Sequence, residues 1–315
     1  FHYLYISRKA VFVSCLYDLS DYELELVFSD TIGYTPRQLL SSLALEEDEM
    51  LQAFCADELD EPLDSGKRVR FYDRIRSSSL AKILLEKSGE ARRLLLSYLR
   101  QEGFLGSEKP GIVDIGWKGN TNRVLNYILR REEDTNAYLS FFLGVKETRH
   151  PIASIGDYEA GYYFEDYLDE PEYAYNLFAL VYVLENYFSA SDDTTLSRYR
   201  EEDGTIYPEF SPGIISDASK EKNQYILRLT EGFLDLIMES GLLRYDPSSL
   251  FGDVGVPTLL RLASRPSMAE LRVLRELTFN DIYVGDRKVV LKMYPWTICD
   301  LSLIHISEPT RQEAI

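Results

Sequence analysis

The residues best suited to chemistry lie together in the run Val113-Asp114-Ile115-Gly116-Trp117-Lys118-Gly119-Asn120-Thr121. A short apolar strand is expected to end near its single carboxylate, Asp114, and a glycine turn follows it. Ligands of open α/β sheets bind at this place, outside the carboxyl ends of the strands. The run therefore predicts a ligand-binding edge with Asp114 at its centre.

The second half of this run has features of an anion site. Gly116 and Gly119 allow the backbone to approach an anion closely, and Lys118 adds a positive charge. The backbone N–H groups of residues 119–122 stand at the start of a predicted helix, where a phosphate can be received. The spacing matches neither the dinucleotide-binding glycine motif nor the P-loop.

The same residues also have a purely structural interpretation. In it, Asp114 bonds backbone groups in the turn, Asn120 or Thr121 caps the helix, and Trp117 fills the core. The sequence leaves both interpretations open, so Asp114, Asn120 and Thr121 are candidates rather than assigned site residues.

Two further positions are candidates. Arg8, in Ser7-Arg8-Lys9, follows a strand predicted over residues 1–6, and an arginine there can clamp a phosphate or a carboxylate. A salt bridge or a solvated side chain is the alternative. Glu185, in a predicted apolar helix, is a weak candidate for a general acid or base beside Asp114, and a structural role is its alternative.

Composition excludes several classes of protein. The net charge is −18, which disfavours nucleic acid and anionic membrane as partners, since both require clustered Lys and Arg. The apolar runs are shorter than the roughly 20 residues of a transmembrane helix, so no transmembrane segment is expected. A cytoplasmic location is the default expectation.

Catalytic triads and metal sites are not indicated either. His2 and His150 are the histidines before residue 301, which leaves no Ser-His-Asp or Cys-His arrangement. The three cysteines Cys15, Cys55 and Cys299 form no CxxC pair, and no Asp-x-Asp sugar-transferase motif is present. We therefore expect no metal site in this chain.

The elements that must position these residues divide the chain into two regions. Residues 1–105 are predicted to form one strand followed by helices, with a helix start at Thr35-Pro36 and a helix over residues 90–99 that ends at Gly103. Residues 106–300 are predicted to begin with a βαβ unit, made of strand 111–116, helix 123–131 and strand 137–145. The predicted class is α/β, helix-rich, with a small Rossmann-like parallel sheet around residues 111–145.

The rest of the second region reads as a mixture of helices, loops and a hairpin. The expected elements are a strand and loop over 158–169, a helix over 172–188, a loop over 189–216, helices over 219–240 and 267–277, and a hairpin over 282–291.

Both ends of the sequence read as cut. Phe1 stands inside the predicted first strand, which indicates an interior fragment of a larger bacterial-type protein. Residues 301–315 (LSLIHISEPTRQEAI) look like an in-frame translation of a sequencing adapter, and we treat them as a non-native tail. His305 is therefore not a candidate site residue.

Several segments together resemble a known family. They are residues 3–10 (YLYISRKA), 91–103 (ARRLLLSYLRQEG), 113–119 (VDIGWKG), 184–190 (LENYFSA), 203–208 (DGTIYP) and 265–270 (RPSMAE). They resemble the region after the phosphatase-like domain in predicted haloacid-dehalogenase (HAD) superfamily hydrolases. Those proteins accompany genes for bacterial capsule, O-antigen and other surface-polysaccharide biosynthesis, and some carry a glycosyltransferase domain.

The resemblance implies an accessory or substrate-recognition region that binds a nucleotide-sugar or phosphosugar. Asp114 would then accept hydrogen bonds from sugar hydroxyls, the amides of Gly116, Gly119 and Asn120 would hold phosphate, and Arg8 would neutralise charge. The family's nucleophilic Asp-x-Asp motif would precede Phe1 and is absent here, so any Mg²⁺ would belong to that missing domain.

The chain departs from the family at residues 120–122, where Asn-Thr-Asn replaces Thr-Gln-like residues. Two alternatives stay open. The chain is a sugar transferase in its own right, with Glu185 or Asp114 as base. Otherwise it is a non-enzymatic domain that docks other polysaccharide-assembly proteins through the tyrosine-rich acidic segment 158–175.

Overall fold

The computed structural model describes most of the first 145 residues and several later segments. The described residues are 3–28, 33–107, 110–117, 119–132, 138–145, 160–165, 194–211, 217–241, 258, 261–262, 267–274, 278–281 and 285–290. The predicted helix 172–188, the tail 301–315, Lys118 and Glu185 lie outside them, as does most of the tyrosine-rich segment 158–175.

Helices predominate over strands in these residues. The helices are α1 (Arg8–Val13), α2 (Asp21–Phe28), α3 (Pro36–Ser42), α4 (Glu47–Met50), α5 (Ala56–Leu59), α6 (Ser65–Ser77), α7 (Leu80–Gln101), α8 (Asn120–Glu132), α9 (Asp217–Ser240) and α10 (Met268–Leu274). The strands are β1 (Gly111–Trp117), β2 (Leu139–Val145), β3 (Ala160–Glu165), β4 (Leu196–Glu202), β5 (Thr205–Phe210), β6 (Thr278–Asp281) and β7 (Gly285–Val290).

The prediction of a first strand over residues 1–6 is wrong for its described part, because residues 3–7 join no sheet. Two tyrosine hydroxyls, rather than a neighbouring strand, form hydrogen bonds with the backbone of this segment. Tyr98 Oη accepts a hydrogen bond from Tyr5 N at 3.0 Å, and Tyr199 Oη donates one to Tyr5 O at 2.6 Å. The two tyrosine rings stack with their centroids 4.8 Å apart. The alternating aromatic residues therefore serve packing rather than strand pairing.

The predicted helix boundaries of the first region are confirmed where capping residues mark them. Thr35 is the N-cap of α3 in a capping box with Gln38, and Pro36 is the first helical residue. α7 contains the helix predicted over 90–99 but begins ten residues earlier, at Leu80, and ends at Gln101. Gly103, which follows the C-cap Glu102, has a φ of 72° that suits glycine. The N–H groups of Gly103 and Phe104 donate to Arg100 O and Leu99 O, which is the Schellman pattern.

The predicted βαβ unit is confirmed as a parallel pair joined by α8. β1 pairs in parallel with β2, and β2 pairs in parallel with β3, so the described sheet has the order β1-β2-β3. Ser140 and Phe142 of β2 are buried, whereas Val113 of β1 is 78% exposed and Phe141 is 47% exposed. Because the described sheet has three strands, the broader Rossmann-like architecture stays a prediction.

The helical region and the βαβ unit share one hydrophobic core. The buried cluster runs from Ala10 in α1 through Leu95 and Leu99 in α7 to Val124 and Ile128 in α8. Burial of such side chains from water is the main driving force for folding. α8 therefore packs against the N-terminal helices as well as against the sheet.

Residues 189–216 were expected to be a loop, but β4 and β5 form an antiparallel hairpin there. A register shift between Leu196 and Arg198 places the buried residues Leu196 and Tyr199 three positions apart. This bulge removes the period-two alternation by which strands are predicted. The turn itself is Asp203-Gly204, with positive φ values of 51° and 77°, as type I′ turns require.

The hairpin is attached to the helical region through the side chain of Gln101. Its Nε2 donates to Ile206 O at 3.0 Å, and its Oε1 accepts from Ile206 N at 2.8 Å. The carboxamide thus satisfies both backbone groups of one residue on β5, as a neighbouring strand would. Ser7 Oγ adds a hydrogen bond to Leu196 O at 2.8 Å.

The later helices and the second hairpin are also present. α9 confirms the helix predicted over 219–240, and α10 lies within the helix predicted over 267–277. β6 and β7 pair antiparallel, so the hairpin begins at Thr278, earlier than predicted. Among the helices of the described residues, none has the length and apolar character needed to cross a bilayer.

A buried carboxylate orders the loop between α1 and α2. Glu23 is 0% exposed, and its Oε2 accepts hydrogen bonds from the backbone N–H groups of Tyr17, Asp18 and Leu19 at 2.9, 3.0 and 2.9 Å. Leu19 has a φ of 56°, which is uncommon for a leucine. The carboxylate thus stabilises a loop conformation that the sequence alone disfavours.

The other oxygen of Glu23 binds α8. Glu23 Oε1 accepts a hydrogen bond from Tyr127 Oη at 2.7 Å and lies 3.3 Å from Nη1 of Arg131. The Arg131 guanidinium also lies over the Tyr17 ring, 4.2 Å from its centroid. Burial, followed by the hydrogen bond to Glu23, raises the pKa of the Tyr127 hydroxyl, so it remains a donor at neutral pH.

We predict that Tyr199→Phe lowers the free energy of unfolding by about 1 kcal/mol, because Tyr5 O loses its donor while the ring stacking is kept. Urea unfolding measures this change. Tyr207→Phe is the matched control, since Tyr207 is 43% exposed on the same hairpin. Equal unfolding midpoints for the two variants would contradict the assigned role of the Tyr199 hydroxyl.

We predict that Glu23→Gln destabilises the protein by about 3–5 kcal/mol. The NH₂ group of the glutamine would face two donor groups from which the carboxylate oxygen accepts hydrogen bonds. The control is Glu25→Gln on the same helix, whose carboxylate is partly exposed and pairs with Arg68 at 3.5 Å. Exposed pairs contribute little, so this control should unfold close to the wild type. A Glu23→Gln protein as stable as the control would show that the buried carboxylate is dispensable.

Candidate functional site

Asp114 lies in the middle of β1 rather than at the strand end that the sequence predicted. It is the fourth of seven strand residues and stands opposite Phe142 of β2. Its side chain is half-buried and contacts α8. The carboxylate therefore sits between the sheet and the helix, three residues before the end of β1 where a ligand was expected.

Asn122 connects Asp114 to the second strand. Asn122 Nδ2 donates to Asp114 Oδ2 at 2.9 Å, and Ser140 Oγ lies 3.3 Å from Asn122 Oδ1. Tyr138 Oη lies 2.9 Å from Asn122 O and 3.2 Å from Asn122 Oδ1. We call Asp114, Asn122, Tyr138 and Ser140 the Asp114 network. It orients the carboxylate, because each polar atom of the Asn122 amide has a fixed partner.

The start of α8 differs from the structural interpretation of the sequence. α8 begins at Asn120, so Gly119 occupies the N-cap position, and Gly119 O accepts from Arg123 N at 2.9 Å. Asn120 and Thr121 therefore lie in the first helical turn, and the prediction that one of them is the N-cap is wrong. Gly119 has a φ of 63°, a conformation that favours glycine.

A glycine N-cap has a consequence for binding. It has no side-chain oxygen with which to accept hydrogen bonds from the N–H groups of the first turn, such as those of Thr121 and Asn122. These groups lie at the positive end of a thirteen-residue helix. The backbone here has the arrangement that receives an anion at helix N-termini.

Two more residues of the predicted run belong to β1 and pair with β2. Gly116 pairs with Gly144, and Trp117 pairs with Val145 at the end of β1. Lys118 lies outside the described residues. The structure thus brings Asp114, Gly119, Asn120 and Thr121 to one end of α8, with Gly116 and Trp117 on the strand leading to it.

Arg8 takes a different position from the predicted strand end. It is the first residue of α1, after the N-cap Ser7, and its guanidinium lies 5.9 Å from the centroid of the Phe12 ring. Among the described residues, none forms a hydrogen bond or an ion pair with the Arg8 side chain. Glu185 lies outside the part of the chain that the structure describes.

The chemistry available at the Asp114 network is recognition by hydrogen bonding. A carboxylate accepts hydrogen bonds from ligand hydroxyls, and the first-turn amides of α8 donate to anionic oxygens. Within the described ranges, no three His, Cys, Asp or Glu side chains stand close enough to hold a metal ion.

Sequence reasoning missed the central role of Asn122. The signal was present, because Asn122 and Asn126 share the inner face of α8 with Leu125 and Leu129, and both asparagines are buried. Buried asparagines are unusual and must be hydrogen-bonded, so two of them on an apolar helix face indicate a polar network. Tyr138 and Ser140 could not be found this way, since β-strand residues of these types are common.

No known family model matches this chain, and no curated protein was found to be similar to it.

Proposed function

We propose that this chain is the accessory or substrate-recognition region of a bacterial surface-polysaccharide biosynthesis protein, associated with a HAD-type hydrolase. It binds a nucleotide-sugar or phosphosugar at the Asp114 network and the start of α8. The observation that carries this proposal is the Asp114 carboxylate held by Asn122 at 2.9 Å, two residues inside a helix with a glycine N-cap.

The two ends of such a ligand match the two parts of the site. Sugar hydroxyls are donors and suit a carboxylate whose orientation is fixed before binding. The phosphate suits the first-turn N–H groups of Thr121 and Asn122, with Gly119 allowing close approach of the backbone. Arg8 and Lys118 are retained as candidate charges of this site on the ground of the family resemblance.

The proposal includes two finer statements. The parallel sheet β1-β2-β3 with α8 is the core of a Rossmann-like unit, since sugar-nucleotide ligands bind outside the carboxyl ends of such strands. The protein works in the cytoplasm, where activated sugars are made. The net charge of −18 disfavours nucleic acid as a partner.

A non-enzymatic interaction domain is the second candidate function, and exposed apolar side chains favour it. Val113 and Phe141 are exposed on one face of the sheet. α9 likewise exposes Phe233, Leu236 and Met238 by 56%, 62% and 66%. Exposed apolar surface of this kind often marks contacts with other proteins. No observation on the described residues favours the sugar-transferase alternative.

We predict that Asp114→Asn weakens binding of UDP-glucose by about tenfold or more, because a charge-assisted hydrogen bond becomes a neutral one. The asparagine oxygen can still accept from Asn122, so the fold is retained. Isothermal titration calorimetry on the full chain measures the change.

The control for this experiment is Asp48→Asn, which removes the same charge at an exposed position in α4. This variant should bind as the wild type does. Two results would refute the proposal: wild-type protein that does not bind UDP-glucose, or Asp114→Asn and Asp48→Asn proteins that bind it equally well.

A further inference from the structure

A cavity opens along α7 at a distance in sequence from the Asp114 network. It is widely open to solvent, has a volume of about 390 Å³ and is lined by Gly89, Arg92, Arg93, Leu96, Arg100 and Glu132. The five α7 residues stand at positions i, i+3, i+4, i+7 and i+11 and so share one helix face. The volume lies in the lower part of the range of roughly 300–1,000 Å³ found for small-molecule sites.

The charge of the lining is opposite to that of the whole chain. Three guanidinium groups and one carboxylate face the cavity, although the net charge of the protein is −18. Guanidinium groups match the planar arrangement of phosphate oxygens and bind them in a bidentate manner. The cavity is therefore suited to a compact anion.

Arg92 is held in place before any ligand binds. Its Nη1 donates to Ser14 O at 3.0 Å and to Leu16 O at 3.1 Å, and its guanidinium lies 3.6 Å from the centroid of the Tyr17 ring. Its Nε lies 3.2 Å from Glu132 Oε1, and the side chain is 14% exposed. No acceptor among the described residues takes a hydrogen bond from Nη2, which leaves this group for a ligand.

Arg93 is held at the mouth of the cavity by carboxylates outside the lining. Glu90 accepts hydrogen bonds from Nε and Nη2 at 2.9 and 2.8 Å, and Glu201 accepts one from Nη1 at 2.8 Å. All three side chains are about half exposed. Exposed pairs of this kind are weak, so a phosphate can replace one carboxylate without a large cost.

Gly89 lines the cavity without contributing a side chain. A glycine in the interior of a 22-residue helix is less favourable than alanine, and Gly89 has no positive φ that would require it. A Cβ atom at this position would meet no atom within 4 Å, so neighbouring side chains do not exclude one. A larger side chain at this lining position therefore has open space to enter.

We infer that this cavity is a binding site for a small phosphate monoester, whose phosphate contacts the guanidinium groups of Arg92, Arg93 and Arg100 beside Gly89. The residues differ from those of the Asp114 network, so the inference does not rest on the function proposed above. The phosphate group is the shared chemistry of two sources, free inorganic phosphate and a phosphorylated small molecule.

The test is calorimetric titration of the full chain at low salt with inorganic phosphate, with glucose 1-phosphate and with glucose. We expect saturable binding of the two phosphate compounds and none of glucose. Tighter binding of glucose 1-phosphate identifies the monoester as the ligand. Failure of both phosphate compounds to bind, or equal binding of inorganic phosphate and the monoester, would overturn the inference.

Substitution at Gly89 tests the volume of the cavity while leaving its charges unchanged. Gly89→Leu fills the space and removes no charge, so we expect loss of binding with a melting temperature at least equal to that of the wild type. Gly89→Ala is the control that improves helix stability and leaves most of the space, and it should still bind. A folded Gly89→Leu protein with wild-type affinity would overturn the inference.

Substitution at Arg100 tests the charge. Arg100→Gln should weaken glucose 1-phosphate binding about tenfold or more, because a charged hydrogen bond is lost. Arg70→Gln, an equal charge change at an exposed position of α6, should leave binding unchanged. Equal affinities of the Arg100→Gln and Arg70→Gln proteins would contradict the assignment.

Discussion

The carboxylate of Glu23 is the interaction on which the arrangement of the described helices depends. A carboxylate with no exposed surface is stable only when its oxygens are fully hydrogen-bonded. Here the α1–α2 loop supplies three backbone N–H groups, and Tyr127 and Arg131 of α8 supply the remaining donors. One buried charge thus ties the N-terminal helices to the helix of the βαβ unit.

The two ends of α8 consequently bind different parts of the protein. Its C-terminal half binds Glu23 through Tyr127 and Arg131 and pairs Glu132 with Arg92 at 3.2 Å. Its N-terminal half holds Asp114 through Asn122. Because a helix is rigid over this length, the anchoring of one end fixes the position of the other. The candidate ligand site and the arginine-lined cavity are therefore positioned by the same helix.

Local sequence signals predicted those parts of the fold that depend on interactions between residues close together in the chain. The capping box at Thr35, the glycine end of α7 at Gly103 and the parallel β1–α8–β2 unit are each set by neighbouring residues or by a clear periodicity. The hairpin of β4 and β5 was missed because its bulge breaks the alternation, even though its Asp203-Gly204 turn was visible.

By itself, the sequence determined the helix-rich α/β character and the position of the βαβ unit, and it marked Asp114 as a candidate residue. Only the tertiary structure decided what Asp114 and Arg8 contact, that Asn122 is the partner of Asp114, and that residues 3–7 bond to tyrosine hydroxyls. The physical reason is that side-chain hydrogen bonds join residues far apart in the chain, as from Tyr5 to Tyr199. Such partners leave no periodic trace in the sequence, whereas caps, turns and amphipathic helices depend on residues a few positions apart.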